Sequence, residues 1–149
     1  VMFPLAPGAN PFSMGAPDKP VNAWLWRADA TEPYDVIAEG YATTRRRPAG
    51  TSGLRAAARH TNGAWSLVFQ RPLAAQQAGC VRFQPGAPSE IAFAIWDGSN
   101  RDRSAQKAVS AGLLALDFEA CSFATSSAIT EPEPILGRES RSYRLCSPP

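Results

Sequence analysis

Between Leu54 and Leu73 the chain reads LRAAARHTNGAWSLVFQRPL, and the Asn62-Gly63 pair at its centre constrains the fold more than any other dipeptide. Both central residues of a type I′ hairpin turn need positive φ, which asparagine tolerates and glycine adopts freely, so Asn-Gly between two strand-like runs signals a β-hairpin. Past the turn, Trp65, Leu67 and Phe69 alternate with Ala64, Ser66, Val68 and Gln70. Pro72 stops the ladder, because proline has no N–H to give it.

Short runs of the same kind recur along the chain. VNAWLWRAD places Val21, Ala23, Leu25 and Arg27 on one parity and Asn22, Trp24, Trp26 and Ala28 on the other, which predicts a strand packed on both sides. DVIAEGYAT, residues 35–43, is a second strand candidate, followed by an Arg/Pro/Gly loop through Gly53. IAFAIW, within 90–96, is apolar on both faces and predicts a central strand that Asp97-Gly98 ends. NRDRSAQKAVS, from Asn100 to Ser110, predicts a short helix or an irregular turn with Asp102 or Ser104 as cap, and AGLLALDFEACSFATSS beyond it one more strand or a short helix. The first twenty residues hold five of the 14 prolines and predict an extended, turn-rich loop. Several short strands joined by Gly/Pro turns make an all-β sandwich, Ig-like or jelly-roll-like, the expected architecture.

At 149 residues the chain suits one domain with a real core. Its formal net charge of +2 is too small to argue for a nucleic-acid partner, and Arg45 to Arg47, before Pro48 and Gly50, read as a solvated loop. No apolar run approaches the roughly 18–20 residues of a membrane span. Cys80, Cys121 and Cys146 show no CxxC or CxxCH spacing, which argues against covalent haem and zinc knuckles and leaves a Cys121 to Cys146 disulfide as an option in an oxidising compartment.

Of the 15 basic residues only Lys19 and Lys107 are lysine. An amine can lose its proton when buried and then act as base, nucleophile or ligand, whereas a guanidinium cannot. Lys19, beside Pro17, Asp18 and Pro20, reads as a solvated loop residue. For Lys107 a surface position competes with a functional one.

VMFPL, then SMG shortly before PVNAWLWRAD, then NGAWSLVFQRPL, then IAFAIWDGSNRDRSAQKAVS, in this order, resemble the haem b-binding gamma subunit of ethylbenzene dehydrogenase and of related periplasmic molybdenum enzymes such as dimethyl sulfide dehydrogenase. The resemblance covers residues 1 to about 110. It implies a β-sandwich holding one non-covalent haem b between its sheets, with methionine and lysine on the iron. Carried onto this chain, the lysine is Lys107 and the methionine Met14, with Met2 as the alternative. Family domains carry more chain before VMFPL, so 1–120 is expected to be the haem domain without its opening strands. Residues 121–149 are expected to form a divergent C-terminal extension or tail.

A Met/Lys pair fills both axial positions, so the resemblance implies an electron-transfer subunit rather than an enzyme. The implied partners are a molybdopterin catalytic subunit, an iron-sulfur subunit and a soluble cytochrome c, in the periplasm. Trp24, Trp26 and Trp96 are first of all core aromatics that could also line the haem, and Arg103 is one of the arginines that could pair with its propionates. His60, two residues before the turn, competes as a ligand and reads more simply as a hairpin-end histidine. Asp97, Asn100 and Asp102 read as a tight turn before the lysine. The rival expectation is a carbohydrate- or small-ligand-binding module without haem, with Trp24 and Trp26 as its stacking platform.

Overall fold

A computed structural model describes residues 1–118 apart from Gln76. Among the described residues every regular element is a strand: β1 (Met2–Pro4), β2 (Val21–Leu25), β3 (Tyr34–Ala38), β4 (Arg45–Arg46), β5 (Arg55–Thr61), β6 (Ala64–Gln70), β7 (Ser89–Ile91), β8 (Ala94–Ile95), β9 (Ala108–Val109) and β10 (Leu114–Leu116). The chain is all-β, as expected. Its strands form one antiparallel sheet in the order β1-β2-β3-β4 and three two-stranded ribbons, β5-β6, β7-β10 and β8-β9. The sheets are not closed.

The hairpin is where the sequence puts it. β5 and β6 pair from Arg55↔Gln70 to Thr61↔Ala64, and Asn62 (φ 53°) and Gly63 (φ 76°) make the turn with the two positive φ values it requires.

β2 is the central divider. Phe3, Asn22, Trp24 and Asp35 share one face of the sheet, since Phe3 pairs with Asn22 and Trp24 with Asp35. On that face Phe3, Trp24, Val81 and Phe83 form the main core, and Trp24 also meets Phe69 of β6 at 6.1 Å between ring centroids. Val21, Ala23, Val36 and Ala38 occupy the other face, where Val21 and Ala38 pack with Ala9, Met2 and Met14. The alternation read in VNAWLWRAD thus puts bulk on both sides.

Asn22 and Asp35, the buried polar residues of the core face, are paired. Asn22 is fully buried; its Nδ2 donates to Asp35 Oδ1 (2.6 Å) and to the Val36 carbonyl (2.9 Å), and its Oδ1 accepts the Val81 amide (3.0 Å). Arg47 Nε lies 3.4 Å from Asp35 Oδ1, and Cys80 Sγ lies 3.8 Å from Asp35 Oδ2. A buried amide with every partner in place fixes the register of three segments at once.

Two expectations change and one open alternative is decided. The predicted central strand over 90–96 is two short ones, because Met2 and Ala92 exchange backbone hydrogen bonds at 2.8 Å and bend the chain between β7 and β8. Phe93, Ile95 and Trp96 are consequently exposed. The opening loop contains β1, which lies at one edge of the sheet beside β2. Between 100 and 107 the chain takes the irregular turn rather than the helix: Arg101 (φ 58°) and Ser104 (φ 51°) are left-handed, which interrupts any helical run. The Cys121 to Cys146 pairing and the tail over 121–149 lie outside the described residues.

Candidate functional site

On the Ala23 face of the sheet the surface opens into a cleft of about 640 Å³. Strand alternation makes one wall: Ala23 and Leu25 of β2 point into it while Trp24, between them, points into the core. The bend at Ala92 makes a second wall, swinging Phe93, Ala94 and Trp96 toward the sheet. The proline-rich opening segment supplies the third, with Phe12 and Met14.

Phe12, Tyr41, Phe93, Trp96 and Val109, each at least 38% exposed, all border this one cleft. Scattered exposed apolar side chains need no explanation, but a contiguous concave patch of them marks a place for a ligand. The volume falls within the range of small-molecule and cofactor sites.

Met14 is held in place by its backbone. Its φ of 59° is left-handed, a conformation costly for a residue with a side chain, and hydrogen bonds from its amide to the Pro11 carbonyl (3.2 Å) and from the Gly40 amide to its carbonyl (2.9 Å) keep it there. Gly15 follows in a gap that admits no Cβ: one built there would meet the Lys19 carbonyl at 2.7 Å and the Ala38 carbonyl at 3.0 Å. The strained turn presents the Met14 side chain, half-buried beside Val21 and Ala38, to the cleft.

Lys107 stands on the cleft wall formed by residues 104–110. Its Nζ donates to the Ser104 carbonyl at 3.2 Å and lies 5.3 Å from the centre of the Trp96 ring. The Trp96 indole N–H donates to the same carbonyl at 3.1 Å. The turn beneath is closed by Asp102 Oδ2 accepting the Asp97 amide (3.0 Å) and by Asp97 Oδ1 accepting the Ser99 amide (2.8 Å) and hydroxyl (2.6 Å). These two Ser99 bonds hold the Asp97 carboxyl below the usual carboxylate range.

Of the residues singled out in the sequence, the structure therefore brings Met14, Lys107 and Trp96 to one cleft, and Met2 lines it too. Trp24 and Trp26 lie elsewhere. Trp24 is 8% exposed in the core, and Trp26 meets Trp65 of the hairpin edge to face at 4.9 Å, so the two do not form an open stacking platform. Arg103 is exposed beside Ser104 and is not part of the wall. His60 is exposed at the hairpin end, tilted against Trp65 at 4.8 Å. Lys19 is exposed, as its loop context suggests.

Sequence reasoning missed Phe12, Tyr41 and Phe93 as cleft wall. The signal for Phe93 was the apolar run FAIW itself, which suits a buried strand and a cleft lining equally. For Tyr41 and Phe12 the link is a tertiary hydrogen bond, Tyr41 Oη donating to the Phe12 carbonyl at 2.6 Å, and nothing in either segment announces it.

A second cleft, of about 560 Å³, lies between the loops around Asp29 and Pro48, with Arg46 stacked 3.3 Å over the Tyr34 ring. Its charged rim of Asp29, Glu32 and Arg46 suits water rather than an apolar ligand.

The ethylbenzene dehydrogenase family model matches residues 49–108, a stretch that contains the β5-β6 hairpin, Trp96 and Lys107 and begins well after Met14. Over those residues the chain resembles the ethylbenzene dehydrogenase family. Similar curated proteins are a putative respiratory nitrate reductase heme subunit of Haloferax mediterranei, 35% identical over 100 residues, and the chlorate reductase subunit gamma of Ideonella dechloratans, 38% identical over 96. The dimethylsulfide dehydrogenase subunit gamma of Rhodovulum sulfidophilum is 32% identical over 97 residues. The alignments cover 67%, 64% and 62% of this chain but only 35%, 39% and 36% of those proteins. The aligned part of the chain thus spans a little over a third of the length of these relatives.

Proposed function

We propose that this chain carries one non-covalent haem b in the apolar cleft, with Met14 and Lys107 as its axial ligands, and serves electron transfer. The observation that carries the reading is that a thioether and the amine of one of only two lysines line the same open, apolar cleft. The relatives named as a heme subunit and as gamma subunits supply the cofactor class.

When bound, haem supplies a one-electron couple whose potential depends on its axial pair and on burial. The chain's own residues do the rest. Met14 offers a soft sulfur donor from a turn that cannot easily move. Lys107 reaches the cleft on a flexible stem and would ligate as the neutral amine. Phe12, Phe93, Trp96 and Val109 give the cleft its apolar border. Two protein ligands leave no position for substrate, so the chain relays electrons and catalysis belongs to a partner.

In this reading the partners are a molybdopterin catalytic subunit and an iron-sulfur subunit, with a soluble cytochrome c as the exchanging carrier and the periplasm as the compartment. Support for these finer points comes from the kinship with gamma subunits.

Titrating haem into the purified chain tests the reading. A low-spin spectrum that forms in the parent and in Lys19→Ala but is altered in Lys107→Ala and Met14→Ala is the expected result. A spectrum indifferent to both cleft substitutions overturns the ligand assignment, and a chain that takes up no haem overturns the function.

A further inference from the structure

Ser104 O is the meeting point of two donors, the Trp96 indole N–H at 3.1 Å and Lys107 Nζ at 3.2 Å. A carbonyl oxygen has two lone pairs, so both are occupied. Ser104 itself lines the cleft, so a group that fills the cleft also covers this carbonyl and keeps water from it. For Lys107 to turn into the cleft its amine must leave Ser104 O. A carbonyl stripped of its donor and covered would oppose that move, since an unsatisfied buried acceptor is costly.

We infer that Trp96 is a positioning residue for Lys107: its indole N–H stays on the Ser104 carbonyl and satisfies it when the amine swings to the iron, and its ring holds the lysine stem against the cleft wall beforehand. The inference rests on the haem reading above. It assigns to Trp96 a task that a merely apolar wall residue would not have. The geometry suits it: the tryptophan ends the apolar run, the Ser104 carbonyl meets both donors, and Lys107 follows three residues after Ser104.

Trp96→Phe separates the two parts of the role, keeping a ring and deleting the N–H. In this variant Lys107 is the only remaining side-chain donor to Ser104 O and releases it less readily. Haem affinity of the full 149-residue chain should fall about two- to tenfold, the net worth of one hydrogen bond, with a larger share of bound haem lacking the lysine-ligated low-spin spectrum. Trp96→Leu should also lose the upfield ring-current shift of the Lys107 ε-protons in the haem-free chain, a readout that needs no cofactor. Trp96 is 38% exposed and outside the core, so both variants should melt close to the parent.

An unchanged affinity and spectrum in Trp96→Phe, with Lys107→Ala still altering the spectrum, overturns this inference alone. Indifference to both substitutions overturns the ligand reading beneath it. In the parent chain, an indole proton of Trp96 that remains slow to exchange once reduced haem is bound supports the inference, and one that exchanges freely refutes it.

Discussion

Trp24 of β2 packs on Phe69 of β6 with ring centroids 6.1 Å apart, while Ala23 beside it faces the cleft on the opposite side of the same strand. One strand therefore separates the stability of the molecule from its candidate site. Trp24 also carries a buried indole N–H without a hydrogen-bond partner among the described residues, beneath an Arg71 guanidinium 4.8 Å from the ring centre. Trp24→Phe gives up ring area but also removes that orphaned donor, and should cost less than about 1 kcal/mol. Trp24→Ala empties the site and should cost about 3–5 kcal/mol. Urea denaturation measures both, and haem affinity of Trp24→Phe should match the parent. A Phe variant as unstable as the Ala variant would mean that the indole N–H is satisfied.

Met14 allows stability and ligation to move in opposite directions. Met14→Ala keeps the left-handed strain and loses packing on Val21 and Ala38, whereas Met14→Gly relieves the strain at φ 59°. The glycine variant should therefore be more stable than the alanine variant by about 1 kcal/mol, although glycine normally costs the folded state entropy. Both should lose the thioether-ligated spectrum. Thermal melts of the haem-free chain check the first statement, and absorption after haem addition checks the second. Alanine proving the more stable of the two would show that the backbone at residue 14 is not strained.

How much of this was legible depended on range. The Asn62-Gly63 turn and the parity of Val21–Leu25 are local, set by φ preferences and by side-chain alternation, and the structure has them as read. The run 90–96 was misread because its bend comes from a bridge to Met2, ninety residues away in the chain. Alternation cannot report a distant partner. Met14 and Lys107 were picked out by resemblance, and a lone methionine or lysine carries no signal of its own. Their common cleft is a product of β2, the bend at Ala92 and the left-handed turns at Met14 and Ser104 acting together.

Asp35 holds the buried polar cluster together. It accepts from Asn22 at 2.6 Å, faces Arg47 Nε at 3.4 Å and lies 3.8 Å from Cys80, whose thiol is pushed up by burial and then by the Asp35 charge. Asp35→Ala leaves a largely buried guanidinium without its counter-charge and orphans the Asn22 amide, at roughly 3–5 kcal/mol. Asp35→Asn keeps an acceptor and should cost less. Chemical denaturation ranks the two; equal losses would show that charge, rather than the hydrogen bond to Asn22, dominates.

Acid should act locally on the turn that carries Lys107. Asp97 accepts both Ser99 hydrogen bonds in the folded chain, so its proton binds less readily there than in the unfolded chain. A carboxyl depressed in this way contributes stability above its unfolded pKa of about 4, and the contribution is lost as pH falls through the lower folded value. Asp97 is fully exposed, so the effect is local and leaves the core intact. Following the Asp97 side-chain carbon by NMR against pH should give a midpoint below about 4 in the parent, moving up toward the ordinary value in Ser99→Ala. The neighbouring Trp96 indole resonance should shift over the same range while Trp24 in the core does not. A parent midpoint at or above the ordinary value would mean that Ser99 does not organise this turn in solution.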